Sequence, residues 1–374
     1  MRRHYLDNIR WVTVLLVVLY HVIFMYNGIG LAVGTLPVSE GSHYRDAVLY
    51  LLYPWFMLIL FIVAGVSSRL YLEKHTVKEF VRSRTDKLLV PSTLGVLAWG
   101  WAQGYVSMKM SELTGGAVDL AQAPAPIRYL ILCLSGTSVL WFAQLLWFFS
   151  IVLALIRKLE KGKLYELCKK ANFPVMLLLG AAVFGAGFLF NTPMITVYRF
   201  GYYGIGFLLG YFVFAHEEVI DRLRRYRFVL APSALALGIL YTVMYFGQNY
   251  ADASAHIEVI NSVPAVLYAW AAVLAIFACA KEWGNVDNSV TRFMTKRSFG
   301  MYVFHFFGIS GAALLLYMYT DLPVAVRCVI VGIAGLLAGF VLPEIIGRIP
   351  VLRYLILGIR KKRGKAKIAE KDTA

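Results

Sequence analysis

The chain has 374 residues, of which 60% are hydrophobic, and its mean hydropathy is +0.67. Apolar runs of about 18 or more residues recur along it, each long enough to cross a bilayer, which excludes a soluble enzyme and predicts a multi-span membrane protein. The formal net charge of +16 would suit a nucleic-acid partner, but the cations fall between apolar runs, where they set membrane orientation, so no nucleic acid is expected.

Ten apolar segments are predicted, at about 9–32, 47–70, 88–108, 126–156, 174–190, 196–215, 228–247, 262–281, 299–319 and 322–343. The first is too long for a signal-peptide core and is expected to stay as a retained helix. The fourth exceeds one crossing and is expected to break at Ser135-Gly136. With the N-terminus inside, all of the 37 Lys and Arg except Arg45, Lys109, Arg128, Arg199 and Arg327 fall on the inner side. That asymmetry predicts both termini in the cytoplasm. The expected fold is therefore an all-α polytopic bundle of about ten transmembrane helices, a membrane domain over 1–359 followed by a basic tail over 360–374 that touches anionic lipid. Cys133, Cys168, Cys279 and Cys328 show no CxxC spacing and no neighbouring histidines, so neither a metal site nor a disulfide framework is indicated.

The first segment, YLDNIRWVTVLLVVLYHVIFMYN, carries more than an anchor needs. Eleven residues advance a helix about three turns with an angular offset of about 20°, so Arg10 and His21 share a face about 16 Å apart. Arg10 then lies at the inner border and His21 near or beyond the midplane of a layer about 30 Å thick, where ionisable groups mark functional sites. A histidine that only hydrogen-bonds a neighbouring helix fits this position equally well. Asp7, three residues before Arg10, can pair with it. His305 is placed about two turns into the ninth segment with Tyr302 one turn before it; Trp141, Phe142, Gln144 and Trp147 are candidates to line a cavity shared by the two histidines. Arg82, Arg84 and Lys87 crowd the entry to the third segment, where topology or phosphate binding both account for them. Arg199 is expected to snorkel to headgroups in preference to touching an acceptor sugar, and Gly206 and Gly210 to permit close helix packing.

Within YLDNIRWVTVLLVVLYH, Arg10, ten intervening residues and His21 resemble the Arg-x10-His pattern that opens the acyltransferase-3 family of multi-span membrane acyltransferases, and within it the branch containing glucans biosynthesis protein C. FIVAGVSSRLYLEK, FVRSRTDKLLVPSTLG, SVLWFAQLLWFFSIV and SFGMYVFHF resemble further family stretches and follow in the family's order; Val139 stands where members near that branch often have a histidine. The resemblance implies an O-acyltransferase of the cytoplasmic membrane. It would take an acetyl or succinyl group from acyl-coenzyme A, a co-substrate with no bound cofactor, and pass it to a glycan or lipid-linked sugar outside. His21 would be the general base, Asp7 and Arg10 would position the helix start and donor, and Arg82, Arg84 and Lys87 would bind the donor phosphates. The rival reading is a proton-coupled transporter or flippase using His21 and His305. No GxSxG, Walker, HExxH or GxGxxG pattern supports other chemistry.

Overall fold

Where the sequence runs apolar the chain is helical, and among the described residues the only extended pairing is an isolated antiparallel bridge between Asn191 and Arg199. The computed structural model describes residues 3–29, 36, 43–113, 123–191, 197–248 and 253–360, so the predicted basic tail lies outside it from residue 361 onward. The helices used below are α1 His4–Phe24, α2 Ala47–Leu72, α3 Val77–Arg84, α4 Trp101–Leu113, α5 Ala125–Ser135, α6 Trp141–Glu160, α7 Phe173–Ala186 and α8 Phe200–Leu209. They continue with α9 Glu217–Arg224, α10 Arg227–Tyr245, α11 Ala253–Ile260, α12 Val263–Trp283, α13 Ser289–Tyr319, α14 Val324–Arg348 and α15 Pro350–Leu357.

The expected ten crossings are not all formed as single helices. Among the described residues seven helices are long and apolar enough to span: α1, α2 with the short turn before it, α6 with the turn before it, α10, α12, α13 and α14. The third predicted segment is broken into π-helical turns, Thr85–Leu89 and Val96–Gly100, around Val90–Ser92. Pro91 removes a backbone donor there, and the hydroxyls of Ser92 and Thr93 bond back to Leu88 O and Leu89 O, both at 2.6 Å, so the regular ladder is lost. The fourth segment breaks where the sequence indicated, α5 ending at Ser135. A Cβ on Gly136 would sit 1.8 Å from Gly100 O, so this break lets the two interrupted segments touch backbone to backbone. The fifth and sixth segments are short, α7 having 14 residues and α8 ten before a π-helical turn at Gly210–Phe214.

The first helix forms the seam of the bundle. Its Tyr5, Leu6, Ile9, Val17, Tyr20 and Ile23 join a core built with α2, α6, α8 and α12, while Val14, Val18, Val22 and Met25 join a second core with α13. A helix apolar on two faces is buried between layers and not at the surface, and its few polar side chains are thereby carried inside. Gly210 lets the α8 segment press on α2, since a Cβ there would come within 2.0 Å of Ile62 O. The amphipathic α3 is fixed by a reciprocal cap in which Thr76 Oγ1 accepts from Glu79 N and Glu79 accepts from Thr76 N.

Candidate active site

Asp7 and Arg10 meet on the first turns of α1, with Arg10 Nη1 at 3.1 Å from Asp7 Oδ1. Arg10 Nη2 also donates to Ser67 Oγ on α2 at 2.9 Å, and the adjacent Ser68 Oγ accepts from Arg84 Nη2 at 3.0 Å. Two neighbouring serines thus hold two guanidinium groups side by side. Burial and the charge of Arg10 bring the Arg84 pKa down to about 10, which leaves it cationic at neutral pH.

These residues line a cavity of about 1900 Å3. Its wall takes Arg82, Arg84 and Lys87, and also cations whose first reading was membrane orientation: Lys296 and Arg297 on α13, Arg348 at the end of α14, Arg353 on α15, and Arg360. Sequence inspection missed this second group because inside-positive charge explains basic loops without saying which of them converge. Arg3 and Arg360 both line the cavity, so the two ends of the described chain lie at one end of the bundle. Several cations are committed: Arg297 to Glu344 at 3.0 Å, Arg360 to Asp86 at 2.5 Å, and Arg3 to Glu217 at 2.5 Å. Among the described residues no carboxylate pairs with Arg82, Lys87, Lys296 or Arg348.

The inner end of the cavity changes character. Val14, Leu60, Ala64, Phe142, Ala143 and Leu146 line it beside Tyr302, whose hydroxyl donates to Val139 O. The rings of Phe142 and Tyr302 meet edge to face at 5.7 Å and close this end.

His21 and His305 stand just past that closure and touch each other. His305 Nε2 lies 3.2 Å from His21 Nδ1, although 284 residues separate them. His305 Nδ1 faces the carbonyls of Tyr302 and Met301 at 2.8 and 3.1 Å, and His21 Nδ1 faces Val17 O at 2.8 Å. A carbonyl only accepts, so the network assigns the proton to Nδ1 on both rings; His305 Nε2 then accepts from His21 Nδ1. His21 is left with its Nε2 lone pair, which no described residue engages, whereas His305 is fully buried.

Four of the expected cavity-lining residues, His305, Trp141, Gln144 and Trp147, are not in its wall, and neither is His21. The helix period explains α6: Phe142, Ala143 and Leu146 share the cavity face, which turns Trp141 and Gln144 away. Trp141 packs on Tyr203 at 5.6 Å, and Gln144 bridges Ser92 O at 2.9 Å and the Tyr198 hydroxyl at 2.5 Å. His305 is cut off because Tyr302, one turn earlier on the same helix, ends the cavity. The snorkelling expected of Arg199 does not occur: it is 3% exposed, with its guanidinium 3.8 Å from the Tyr202 ring centre. Inward rings and the side chain of Asn261 offer it more than the surface does.

A family model described as an acyltransferase domain matches residues 3–342. The chain belongs to the acyltransferase-3 family. The match embraces α1, the basic stretch of α3 and the His305 region, and it makes the protein a multi-pass membrane acyltransferase. Comparison with curated proteins and with solved structures gave no match.

Proposed function

We propose that this acyltransferase-3 protein moves an acyl group from a coenzyme A thioester in the basic cavity to a hydroxyl of an extracytoplasmic glycan or lipid-linked sugar. The observation that carries the reading is the arrangement along α1: a cation-lined cavity at Arg10 and, past the Phe142–Tyr302 closure, a histidine with a ring nitrogen that no described residue engages. Arg82 and Lys87, without carboxylate partners among the described residues, suit the donor phosphates, and a planar guanidinium can bind them in pairs. With the positive-inside distribution, the cavity opens to the cytoplasm and the membrane is the cytoplasmic one.

The acceptor hydroxyl gives its proton to His21 Nε2 as its oxygen attacks the thioester carbonyl. The C–O ester bond forms, the C–S bond breaks, and the proton passes from His21 to the leaving thiolate, so that free coenzyme A departs. His305 is a positioning residue, holding the His21 ring by accepting from its Nδ1. Asp7 steadies Arg10. The apolar inner end favours a small uncharged acyl group: a succinyl carboxylate would be stripped of water there with no cation to receive it. Acetyl is therefore preferred over succinyl, and the resemblance to the branch of glucans biosynthesis protein C is kept for the extracytoplasmic glycan acceptor.

The test is mild-base release of ester-linked acids from envelope glycans of cells making the wild type, a deletion and His21→Ala. Loss of acetate in both the deletion and the variant, at equal expression, is the expected result. Equal release from all three would remove the catalytic role.

A further inference from the structure

The end of the bundle opposite the basic cavity holds a buried charge that the transfer step described above does not use. Tyr53 and Ser67 on α2 are 14 residues apart, about 21 Å along the axis, and Arg199 belongs with the Tyr53 end. Its ring neighbour Tyr202 donates its hydroxyl to Pro54 O at 3.0 Å. Arg199 Nη2 donates to Asn261 Oδ1 at 2.5 Å and to Ile260 O at 3.3 Å. Among the described residues Nε has no partner, and no carboxylate pairs with the guanidinium. The buried hydroxyl of Tyr53 is likewise without a partner among them.

A guanidinium buried in a membrane domain with neutral companions is costly, because Coulomb attraction from a counter-charge is what ordinarily offsets its lost hydration. Cation–π contact with Tyr202 at 3.8 Å and Tyr203 at 5.9 Å offsets part of this, and among the described residues no negative charge neutralises the rest. No imidazolium competes for an anion, since burial and the charge of Arg199 push the pKa of the half-buried His256 down to about 4.

The cluster also leads to the reacting histidine. The rings of His256 and Tyr53 are 5.4 Å apart, those of Tyr53 and Tyr20 5.9 Å, and those of Tyr20 and His21 5.4 Å. A molecule seated at Arg199 with its rings along this aromatic path would bring a hydroxyl toward His21 from the side opposite the donor. Tyrosine faces pack well on the apolar faces of sugar rings.

We propose that Arg199 anchors a single oxyanion, a phosphate or a carboxylate, carried by the sugar that accepts the acyl group. The proposal rests on the acyl-transfer reading only for the word acceptor; the anion site stands on the unneutralised guanidinium. The acceptor is thereby an acidic or phosphorylated sugar, and Arg199, Asn261 and Tyr53 select it.

The experiment uses the full chain in phosphatidylcholine nanodiscs with saturating coenzyme A, which occupies the basic cavity. Glucose 1-phosphate, glucuronate and glucose are titrated while Tm is followed. At least one anionic sugar is expected to raise Tm and glucose to leave it unchanged; the shift is expected to vanish in Arg199→Gln, to survive in part in Arg199→Lys, and to persist in His21→Ala. Shifts equal in wild type and Arg199→Gln, or no shift with any anion, would overturn the site. A response only to phosphatidylglycerol added to the nanodiscs, lost in Arg199→Gln, would overturn the acceptor assignment and give the charge to a bilayer lipid. Should Arg199→Gln not fold, the wild-type and Arg199→Lys titrations decide alone. Coenzyme A binding measured on the same samples reports the donor half independently, so failure of the transfer reading is distinguishable from failure of the anion site.

Discussion

His21 and His305 are each an ordinary side chain until they meet. Their 3.2 Å contact sets them apart: His305 is tied to backbone carbonyls and accepts from His21, and His21 keeps an Nε2 lone pair that no described residue engages. His21→Ala is expected to lower kcat by about 10²–10⁴-fold, the usual contribution of a positioned base, with coenzyme A binding unchanged. His305→Ala is expected to cost less, about tenfold in kcat, because Val17 O still orients the His21 ring; steady-state kinetics would show the KM for the thioester unmoved. A rise in that KM equal to the fall in kcat would mean that His305 shapes the donor cavity instead. Among the cations, Arg82 and Arg84 separate cleanly. Arg82 is exposed and without a carboxylate partner among the described residues, so Arg82→Ala should weaken coenzyme A binding by about 1.5–3 kcal/mol without changing Tm. Arg84→Ala should lower both, since its guanidinium also holds Ser68. Calorimetric titration and thermal melts on the two variants check this.

At the scale of elements, α2 is the helix on which the site is assembled. One end presents Ser67 and Ser68 to the two arginines, its middle packs Ile62 and Gly65 against the α8 segment, and its other end presents Tyr53 and Pro54 to the Arg199 cluster. Gly210→Leu forces a side chain where Ile62 O already stands 2.0 Å from an added Cβ, so the two helices must separate. The expected cost is at least about 1–3 kcal/mol, read as a lower Tm. Donor affinity should fall with it, because the displaced helix carries the serines. The break at Gly136 and the back-bonded turns around Pro91 are also element-scale features, and they place Phe142 and Val139 against Tyr302 at the end of the cavity. On the proposed reading, that closure sets acyl selectivity. Acetyl-coenzyme A should be turned over at least tenfold faster than succinyl-coenzyme A in a coupled thiol-release assay, and comparable rates would require a cation that the inner end does not contain among the described residues.

For the whole molecule, the polarity is that of a two-ended machine: cations gathered at one end, the buried guanidinium of Arg199 in the other half with no carboxylate partner among the described residues, and α1 running as a seam between two cores to join them. Because the cavity cations are partly exposed, raising ionic strength from about 0.01 to 0.15 M shortens the Debye length from about 30 to 8 Å and should raise the donor KM severalfold while leaving kcat unchanged. Much of this was readable from residue order alone. Apolar runs of spanning length determine a membrane bundle, because hydrocarbon admits helices whose backbone groups bond within the segment. The eleven-residue interval between Arg10 and His21 determines that they share a helix face, because helical geometry is local. The break at Ser135-Gly136 is local too. What sequence could not decide is everything that depends on which helices become neighbours. Seven of the ten predicted spans are single long helices among the described residues, because hydropathy measures composition and not whether a ladder survives Pro91. Trp141 and Gln144 were assigned to the cavity because their helix was recognised without its rotation. Lys296, Arg348 and Arg360 line one cavity with Arg10 and Arg82, remote from them in sequence, only because helix ends converge there. The His21–His305 contact and the inward turn of Arg199 belong to the same class, since a charge or a lone pair acquires its role from partners that only tertiary packing supplies.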